Sequence, residues 1–177
     1  PYDPTKTGFN FTNIESYQAE YDHRHALFGT VEYALQAIDG KQIDLELFAG
    51  LHISQANLTE WFEEICYLTS EEKVGLWFLI RWCSYGLTPA LDTVQDGMTI
   101  FHGTKENWAN EALEESGFFH GVPDHLPTDF DTAKWIHDCE CEGSLREFRF
   151  AGETWCANPM AFRKVFHRSR LGEEWDT

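Results

Sequence analysis

Residues 104–150 have the sequence TKENWANEALEESGFFHGVPDHLPTDFDTAKWIHDCECEGSLREFRF, which combines a high density of acidic side chains with apolar residues at folding periods. Between Glu106 and Glu142 there are ten acidic residues and one basic residue, Lys134, so the net charge of this part is −9 (ten minus one). The ten are Glu106, Glu111, Glu114, Glu115, Asp124, Asp129, Asp131, Asp138, Glu140 and Glu142. Because apolar residues recur throughout, the stretch is predicted to fold and not to form a disordered acidic run.

The first half of this stretch predicts an amphipathic helix that ends at Gly117, a residue suited to a left-handed helix end. At about 100° per residue, small and apolar residues share one face and acidic residues share the other. The inner face consists of Trp108, Ala109, Ala112, Leu113 and Ser116, and the outer face of Glu111, Glu114 and Glu115.

The second half predicts another helix with acidic residues along one line. Asp131, Asp138 and Glu142 stand at positions i, i+7 and i+11, which fall on one side of a helix. The residues expected on the other faces, where they can reach a core, are Phe130, Ala133 and Ile136. The two halves together predict rigid scaffolds that hold rows of carboxylates facing water.

Strands are predicted on both sides of these helices. Residues 98–103 (MTIFHG) predict one strand, and residues 145–150 and 153–157 predict a β-hairpin with its turn at Ala151–Gly152. In the first hairpin strand, the side chains that face one way are Phe148 and Phe150, and those that face the other way are Glu147 and Arg149.

The part before residue 98 is predicted to be mainly helical. Residues 13–38 predict one helix or two, with an N-cap at Asn13 or Ser16. Residues 42–50 (QIDLELFAG) alternate apolar and acidic residues and predict a short strand, with Asp44 and Glu46 on one face.

Residues 54–86 have the clearest helical pattern, and two capping pairs are expected within them. These pairs are Asn57 with Glu60 and Thr69 with Glu72. The helix that contains the apolar run LWFLIRWC is predicted to be buried on most sides and to end at Gly86, followed by a connector over residues 87–97.

These elements predict an α+β protein of elongated form, made of two to three small units. The expected limits are residues 1–50 for an N-terminal helix and strand unit, 51–97 for a helical middle, and 98–177 for an acidic C-terminal unit with a tail.

The composition restricts the possible partners. A formal net charge of −17 repels nucleic acid and anionic membranes and attracts basic protein surfaces, so DNA binding through phosphate neutralisation is excluded. The sequence has no apolar run that would span a bilayer and no signal-peptide pattern. Five cysteines without framework spacing predict reduced thiols in a cytosolic protein.

Two small groups of residues suggest chemistry but have simpler explanations. His102-Gly103-Thr104 after a strand is similar to a motif of NAD-binding ADP-ribosyl-transferring enzymes, although a strand end, a glycine turn and a Thr N-cap explain it better. His137, Cys139 and Cys141 are two residues apart, so on a helix neighbours point about 200° away from each other and do not chelate one ion together. We therefore predict no catalysis, no metal and no cofactor.

Residues 105–157 resemble the C-terminal part of the ArdA antirestriction family, and residues 56–86 resemble its helical middle. The similar features are Glu115-Ser116-Gly117 at a helix end, Val122-Pro123 before an acidic link, Asp129-Phe130-Asp131, and then Ala133, Asp138, Glu140 and Gly143 before a strand pair. Residues 1–43 do not resemble the strand-rich start of that family, and the tail from Pro159 is an addition.

The resemblance implies a DNA mimic, carried by a phage or plasmid, that acts in the bacterial cytoplasm. Such a protein is an elongated homodimer that occupies the DNA groove of type I restriction-modification enzymes, and the ten acidic residues above would form its target-binding surface. The alternatives are an acidic inhibitor or immunity protein that caps another basic target, either a toxin or another defence system, and an NAD-using enzyme around His102.

A dimer of two acidic subunits needs an interface that is locally apolar or basic. The hairpin and tail offer both, so the predicted interface consists of Phe148, Phe150, Trp155 and Phe162, with nearby basic residues Arg163, Lys164, Arg168 and Arg170.

Overall fold

The computed structural model describes residues 8–29, 32–117 and 130–161, which form helices and one three-stranded antiparallel sheet. The predicted α+β class is confirmed. The helices are α1 (Ile14–Phe28), α2 (Gln42–Gly50), α3 (Leu58–Glu63), a 3₁₀ turn (Ile65–Tyr67), α4 (Ser70–Cys83), α5 (Leu87–Gln95), α6 (Lys105–Glu115) and α7 (Thr132–Glu142). The strands are β1 (Phe101–His102), β2 (Arg146–Phe150) and β3 (Glu153–Ala157).

The chain divides into two compact units, residues 1–77 and residues 78–177, with the boundary inside α4. The predicted limits at residues 50 and 97 do not coincide with this boundary.

Helix α1 begins at the predicted cap. Asn13 Oδ1 accepts a hydrogen bond from the Ser16 N–H at 2.8 Å, and Ser16 Oγ accepts one from the Asn13 N–H at 3.2 Å. The helix ends at Gly29, whose φ of 74° lies in the region that favours glycine. The prediction of helix through residue 38 is therefore wrong, because residues 32–38 have no regular structure.

Residues 42–50 form a helix and not the predicted strand. Gln42 Nε2 donates to Glu46 Oε1 at 2.7 Å, a contact that follows from helical i, i+4 spacing. Leu47 and Phe48 are both buried, which a half-exposed strand would not permit for adjacent residues. Asp44 and Glu46 therefore do not share a face, because residues two apart on a helix are separated by about 200°.

The two predicted capping pairs have different outcomes. Thr69 N–H donates to Glu72 Oε2 at 2.7 Å and Glu72 N–H donates to Thr69 Oγ1 at 3.2 Å, so the second capping box is confirmed. Asn57 precedes α3, but its Oδ1 accepts from the Ser54 N–H at 2.7 Å and does not cap the helix. Asn57 is therefore the N-cap residue by position, but the predicted capping contact with Glu60 is wrong.

Helix α4 ends earlier than predicted. Its last residue is Cys83, and Ser84 follows with a φ of 59°. Gly86 is the N-cap residue of α5, so residues 87–97 contain a nine-residue helix in place of the predicted connector. The buried stripe that holds α5 consists of Ala90, Leu91 and Val94.

The sheet of the second unit has the order β1-β3-β2, and its hairpin matches the prediction. The two-residue turn Ala151–Gly152 has φ values of 53° and 80°, as a type I′ hairpin turn requires. On one face, the Phe148 ring packs against Phe78 with centroids 4.9 Å apart. On the other face, Cys156 lies in an apolar cluster with residues of α6 and α7. Strand β1 covers only Phe101–His102 of the predicted residues 98–103.

Candidate functional site

Helix α6 presents the acidic face that its sequence predicts. Thr104 caps it by accepting a hydrogen bond from the Asn107 N–H, and Ala109 and Leu113 are buried. The exposed carboxylates on α6 belong to Glu106, Glu111, Glu114 and Glu115. Gly117 has the expected left-handed conformation, with a φ of 65°. Ser116, which the helical pattern places on the inner face, is exposed.

Helix α7 provides a second acidic face, although not as one continuous line. Ile136 is buried, whereas Asp138 and Glu142 are exposed. Asp131 is the N-cap residue, and its carboxylate accepts a hydrogen bond from the Lys134 N–H at 2.9 Å. The predicted row therefore consists of two helical carboxylates and one capping carboxylate at the helix start. Asp124 and Asp129 of the predicted surface lie outside the described residues.

Two kinds of contact hold α6 and α7 together. The indole rings of Trp108 and Trp135 stack with centroids 5.3 Å apart and planes 28° apart. Next to them, a buried cluster joins one residue from each helix to the sheet region, namely Ala109, Ile136, Leu145 and Cys156. The carboxylates of the two helices are thus fixed by a shared core.

The basic side chain of Lys105 lies within the acidic surface and pairs with one of its carboxylates. Lys105 Nζ lies 2.9 Å from Glu140 Oε1 and 3.0 Å from Oε2, so Glu140 belongs to an ion pair. This hydrogen bond raises the pKa of Lys105. The backbone N–H of Lys105 also donates to Glu147 Oε2 at 2.9 Å. The sequence gives no sign of these roles of Lys105 and Glu147, because no local pattern relates residues 42 and 35 positions apart.

The start of α6 favours an ionised carboxylate at Glu106. Two hydrogen bonds lower the pKa of Glu106: the larger effect comes from its own backbone N–H, and the smaller from the Thr104 side chain. The first turn of a helix stabilises negative charge, so this carboxylate stays ionised under ordinary conditions.

The three described residues of the predicted dimer interface lie inside the fold of this chain. Phe148, Phe150 and Trp155 are 6%, 3% and 3% exposed, because they are buried in the fold of this chain. Trp155 Nε1 donates to the carbonyl oxygen of Phe150 at 3.3 Å, which satisfies the indole inside that core. Phe162 and the four basic residues of the tail lie outside the described residues.

The local geometry of His102-Gly103-Thr104 is that of a strand end, a glycine turn and a helix N-cap. His102 ends β1, stacks on Trp155 with centroids 4.4 Å apart and lies 3.1 Å from Glu153 Oε2. Gly103 has a φ of 146°, and a Cβ there would lie 2.8 Å from the Phe101 ring. Thr104 is the N-cap of α6, so strand end, glycine turn and cap are confirmed.

Cys139 points away from His137 and Cys141, as helical geometry predicts for residues two apart, whereas His137 and Cys141 are four apart and share one side of α7. Cys139 packs against the buried cluster, whereas Cys141 Sγ lies 3.5 Å from His137 Nε2 on the exposed side. Within residues 8–29, 32–117 and 130–161, no three potential ligands come together to hold a metal ion.

Over the same ranges, no helix has both the length and the apolar character that a membrane crossing requires.

In comparisons with known proteins, no family model matches this chain, and neither a curated protein nor a solved structure is significantly similar to it.

Proposed function

We propose that this protein is an acidic DNA mimic that inhibits a bacterial DNA-binding defence enzyme by occupying its DNA-binding groove. The observation that carries the proposal is the pair of acidic helices α6 and α7, joined through a shared core with their carboxylates exposed. The resemblance to the ArdA family directs the proposal to type I restriction-modification enzymes as the target.

The spacing of the carboxylates suits this function. Duplex DNA carries about one charge per 1.7 Å of its axis. On α6, Glu111 and Glu115 are separated by about 6 Å along the helix at 1.5 Å per residue, and Asp138 and Glu142 on α7 are separated equally. Several carboxylates on two adjacent helices therefore approach the density of a row of phosphates. Binding would gain from long-range attraction to a basic cleft.

The fixed conformation of the two helices matters as much as their charge. Mobile carboxylates would lose conformational freedom on binding, whereas side chains on a packed pair of helices begin with their backbones already fixed. The Trp108–Trp135 stack and the Ala109–Ile136 contact supply that fixation. A disordered acidic segment of equal charge would bind more weakly.

The test compares a variant that neutralises three exposed carboxylates of α6 with a control variant that neutralises three exposed carboxylates in the first unit. The test variant carries Glu111→Gln, Glu114→Gln and Glu115→Gln, and the control carries the same change at exposed Glu32, Glu63 and Glu64 of the first unit. Both variants differ from the wild type by three charges.

We expect the α6 variant to inhibit DNA cleavage by a type I restriction enzyme about 30-fold less well, since three charge contacts contribute roughly 0.5–1 kcal/mol each. The control should stay within about three-fold. Any single Glu→Gln change should have a small effect, and the affinity should fall steeply with salt. Equal losses in both triple variants would contradict an acidic site on α6 and α7.

Competition with duplex DNA distinguishes the alternative of an inhibitor that caps another basic protein. A DNA mimic and duplex DNA exclude each other from the same groove of the target enzyme. Binding of this protein to a DNA-loaded enzyme with unchanged affinity would contradict groove occupation and favour the alternative.

A further inference from the structure

A groove lined by aromatic rings lies within the first unit, between residues 9–12, residues 36–40 and the helices α2 and α3. Its volume of about 390 Å³ lies in the range of roughly 300–1,000 Å³ that is usual for small-molecule sites. No residue of α6 or α7 lines it, so this site is independent of the proposed function. The rings that line this aromatic groove belong to Phe9, Phe11, Phe48, Trp61 and Phe62.

The fold holds these rings in place through contacts with one another. The rings of Phe48 and Trp61 meet edge to face, with centroids 4.9 Å apart and planes 81° apart, and both side chains are buried. Phe11 and Phe62, which are half-buried, form a second edge-to-face pair with centroids 6.2 Å apart. Because these rings are already ordered, a ligand does not lose affinity by ordering them.

The charge along the aromatic groove is negative. Its lining includes the carboxylates of Asp39 and Asp44, whereas none of the described residues that line it is basic. Asp44 is already paired, since its Oδ1 lies 2.8 Å from Lys73 Nζ. Asp39 is exposed, and its Oδ1 accepts a hydrogen bond from the Gly40 N–H at 2.9 Å, but no basic side chain of the described residues pairs with it. Asp39 is therefore the carboxylate that can balance the charge of a ligand.

Aromatic rings beside a carboxylate without a counter-charge favour a cation. The face of an aromatic ring carries partial negative charge and attracts a cation within about 6 Å of its centre. The protein itself has such a contact in the same cluster of rings, because the guanidinium carbon of Arg24 lies 5.0 Å from the centroid of Phe9. Arg24 does not line the groove. An anion would be repelled by Asp39, and a neutral ligand would gain nothing from its charge.

We propose that the aromatic groove binds a small organic cation of the quaternary ammonium class. The cationic head lies against the rings with Asp39 as its counter-charge, and Ile38, which is 71% exposed at the groove, contacts the apolar groups of the ligand. A quaternary ammonium needs no hydrogen-bond acceptor, whereas a guanidinium has five N–H donors that ring faces do not satisfy. The chemistry of the groove therefore fits the quaternary ammonium better.

Choline and 3,3-dimethylbutan-1-ol test the proposal on the full chain, because they have the same shape and differ in having a charged nitrogen or a neutral carbon. Choline should shift the NMR signals of the Trp61 indole and the Phe62 ring in a saturable way, with a Kd of about 1 mM, as so small a ligand allows. The neutral analogue should bind about five-fold more weakly, since it lacks the attraction to the rings and to Asp39. Equal affinities would overturn the proposal, because apolar contact alone would explain them.

A charge variant at the groove has a matched control in the same unit. Asp39→Asn removes the carboxylate charge, while the amide oxygen can still accept from the Gly40 N–H, and should weaken choline binding about three-fold. The control is Asp22→Asn on α1, an exposed carboxylate that accepts from Gln18 Nε2 at 2.8 Å. It should stay within about 1.5-fold, because it measures only the general attraction of a chain of net charge −17 for cations. Equal losses in the two variants would contradict a site at Asp39.

A ring variant tests the contact between the cation and the aromatic wall. Phe62→Leu keeps an apolar side chain at a half-buried position and should weaken choline binding about five-fold, while 3,3-dimethylbutan-1-ol stays within about two-fold, because only the cation uses the ring face. Circular dichroism and urea unfolding check that the variant is folded, and the comparison of the two ligands on the wild type remains decisive if it is not. The absence of saturable shifts at about 20 mM choline, or shifts that lie mainly outside the groove, would overturn the proposal.

Discussion

Lys105 and Glu140 join the start of α6 to the last turns of α7, with the ammonium nitrogen 2.9 Å from one carboxylate oxygen and 3.0 Å from the other. Both side chains are about one-third exposed, at 31% and 34%. The acidic surface therefore contains one locally neutral pair that ties its two helices together. Because the charge of Glu140 is neutralised in this contact, the exposed carboxylates around it carry the uncompensated negative charge of this surface.

Replacing Lys105 with Met should destabilise the protein slightly without weakening target binding. The loss of an ion pair that is about one-third exposed costs about 0.5–1 kcal/mol, and the released Glu140 adds negative charge to the proposed binding surface. Urea unfolding measures the stability. Lys134→Met is the matched control, because it removes an exposed lysine of α7 with the same change in net charge. Equal stability of the two variants would show that the Lys105–Glu140 contact contributes nothing measurable.

The pH dependence of this pair follows from the pKa of Lys105, which the Glu140 hydrogen bond raises above the ordinary value of 10.5. A group with a raised pKa in the folded state stabilises it fully below the unfolded pKa and loses that contribution as pH rises through the folded pKa. The difference in stability between the wild type and Lys105→Met should therefore shrink only at alkaline pH, above the ordinary lysine pKa of 10.5.

The elements predicted correctly from sequence are those in which the hydrophobic pattern repeats over many residues or the turn sequence is distinctive. Helix α6 has eleven residues, enough for its apolar and acidic faces to separate. The Ala151–Gly152 turn stands between two alternating segments. Helix α2 is not predicted because the nine residues Gln42–Gly50 alternate apolar and acidic residues in their first half, and so short a segment fits both periods.

The candidate site shows a similar limit. Helical periodicity alone predicts that Glu111, Glu114 and Glu115 are exposed, and all three are exposed in the structure. An apolar strand face such as that of Phe148 has the same pattern whether it is covered by the same chain or by a partner. The tertiary contact between Phe148 and Phe78 shows that the same chain covers this face. Local sequence patterns do not reveal that contact, because the two residues are 70 positions apart (148 minus 78).

Lys73 should be important for the stability of the first unit. It is 8% exposed, and its ammonium group lies 2.8 Å from Asp44 Oδ1 and 3.1 Å from the Cys66 carbonyl oxygen. Lys73→Met leaves a partly buried carboxylate without its counter-charge, which should cost about 2–3 kcal/mol in urea unfolding. The double variant Lys73→Met with Asp44→Leu should regain part of this loss. A larger loss in the double variant would contradict a charge-based explanation.

Ala151→Asn should stabilise the hairpin. Ala151 has a φ of 53°, a left-handed conformation that costs an alanine about 1 kcal/mol and that asparagine tolerates better. The variant has the Asn-Gly sequence preferred in type I′ turns, so we expect a gain of about 0.5–1 kcal/mol in thermal or urea unfolding. Asn at exposed Ala133 of α7 is the control and should destabilise instead, since asparagine is a poorer helix former than alanine. Loss of stability in Ala151→Asn would contradict the turn type.

The cysteines should differ strongly in reactivity with a thiol reagent near neutral pH. Cys141 is exposed and should react first, so Cys141→Ser should remove the fastest phase. Cys156 is 1% exposed, and burial raises its pKa to about 12, so it should react only when the protein unfolds. Stopped-flow absorbance with and without denaturant separates the two. Rapid modification of Cys156 in the native protein would show that its cluster opens readily.

Replacing His102 with Ala should leave inhibition of the target within about two-fold of the wild type, because a single exposed side chain outside α6 and α7 adds little to a distributed charge contact. His102 is 58% exposed at the end of β1, where it stacks on Trp155 and lies beside Glu153. Its removal should uncover one face of Trp155 and alter the tryptophan fluorescence while the far-ultraviolet circular dichroism stays unchanged. Titration calorimetry of the wild type with NAD should give no binding heat. Consumption of NAD by the pure protein, lost in His102→Ala, would replace the DNA-mimic proposal with an NAD-using enzyme centred on this residue.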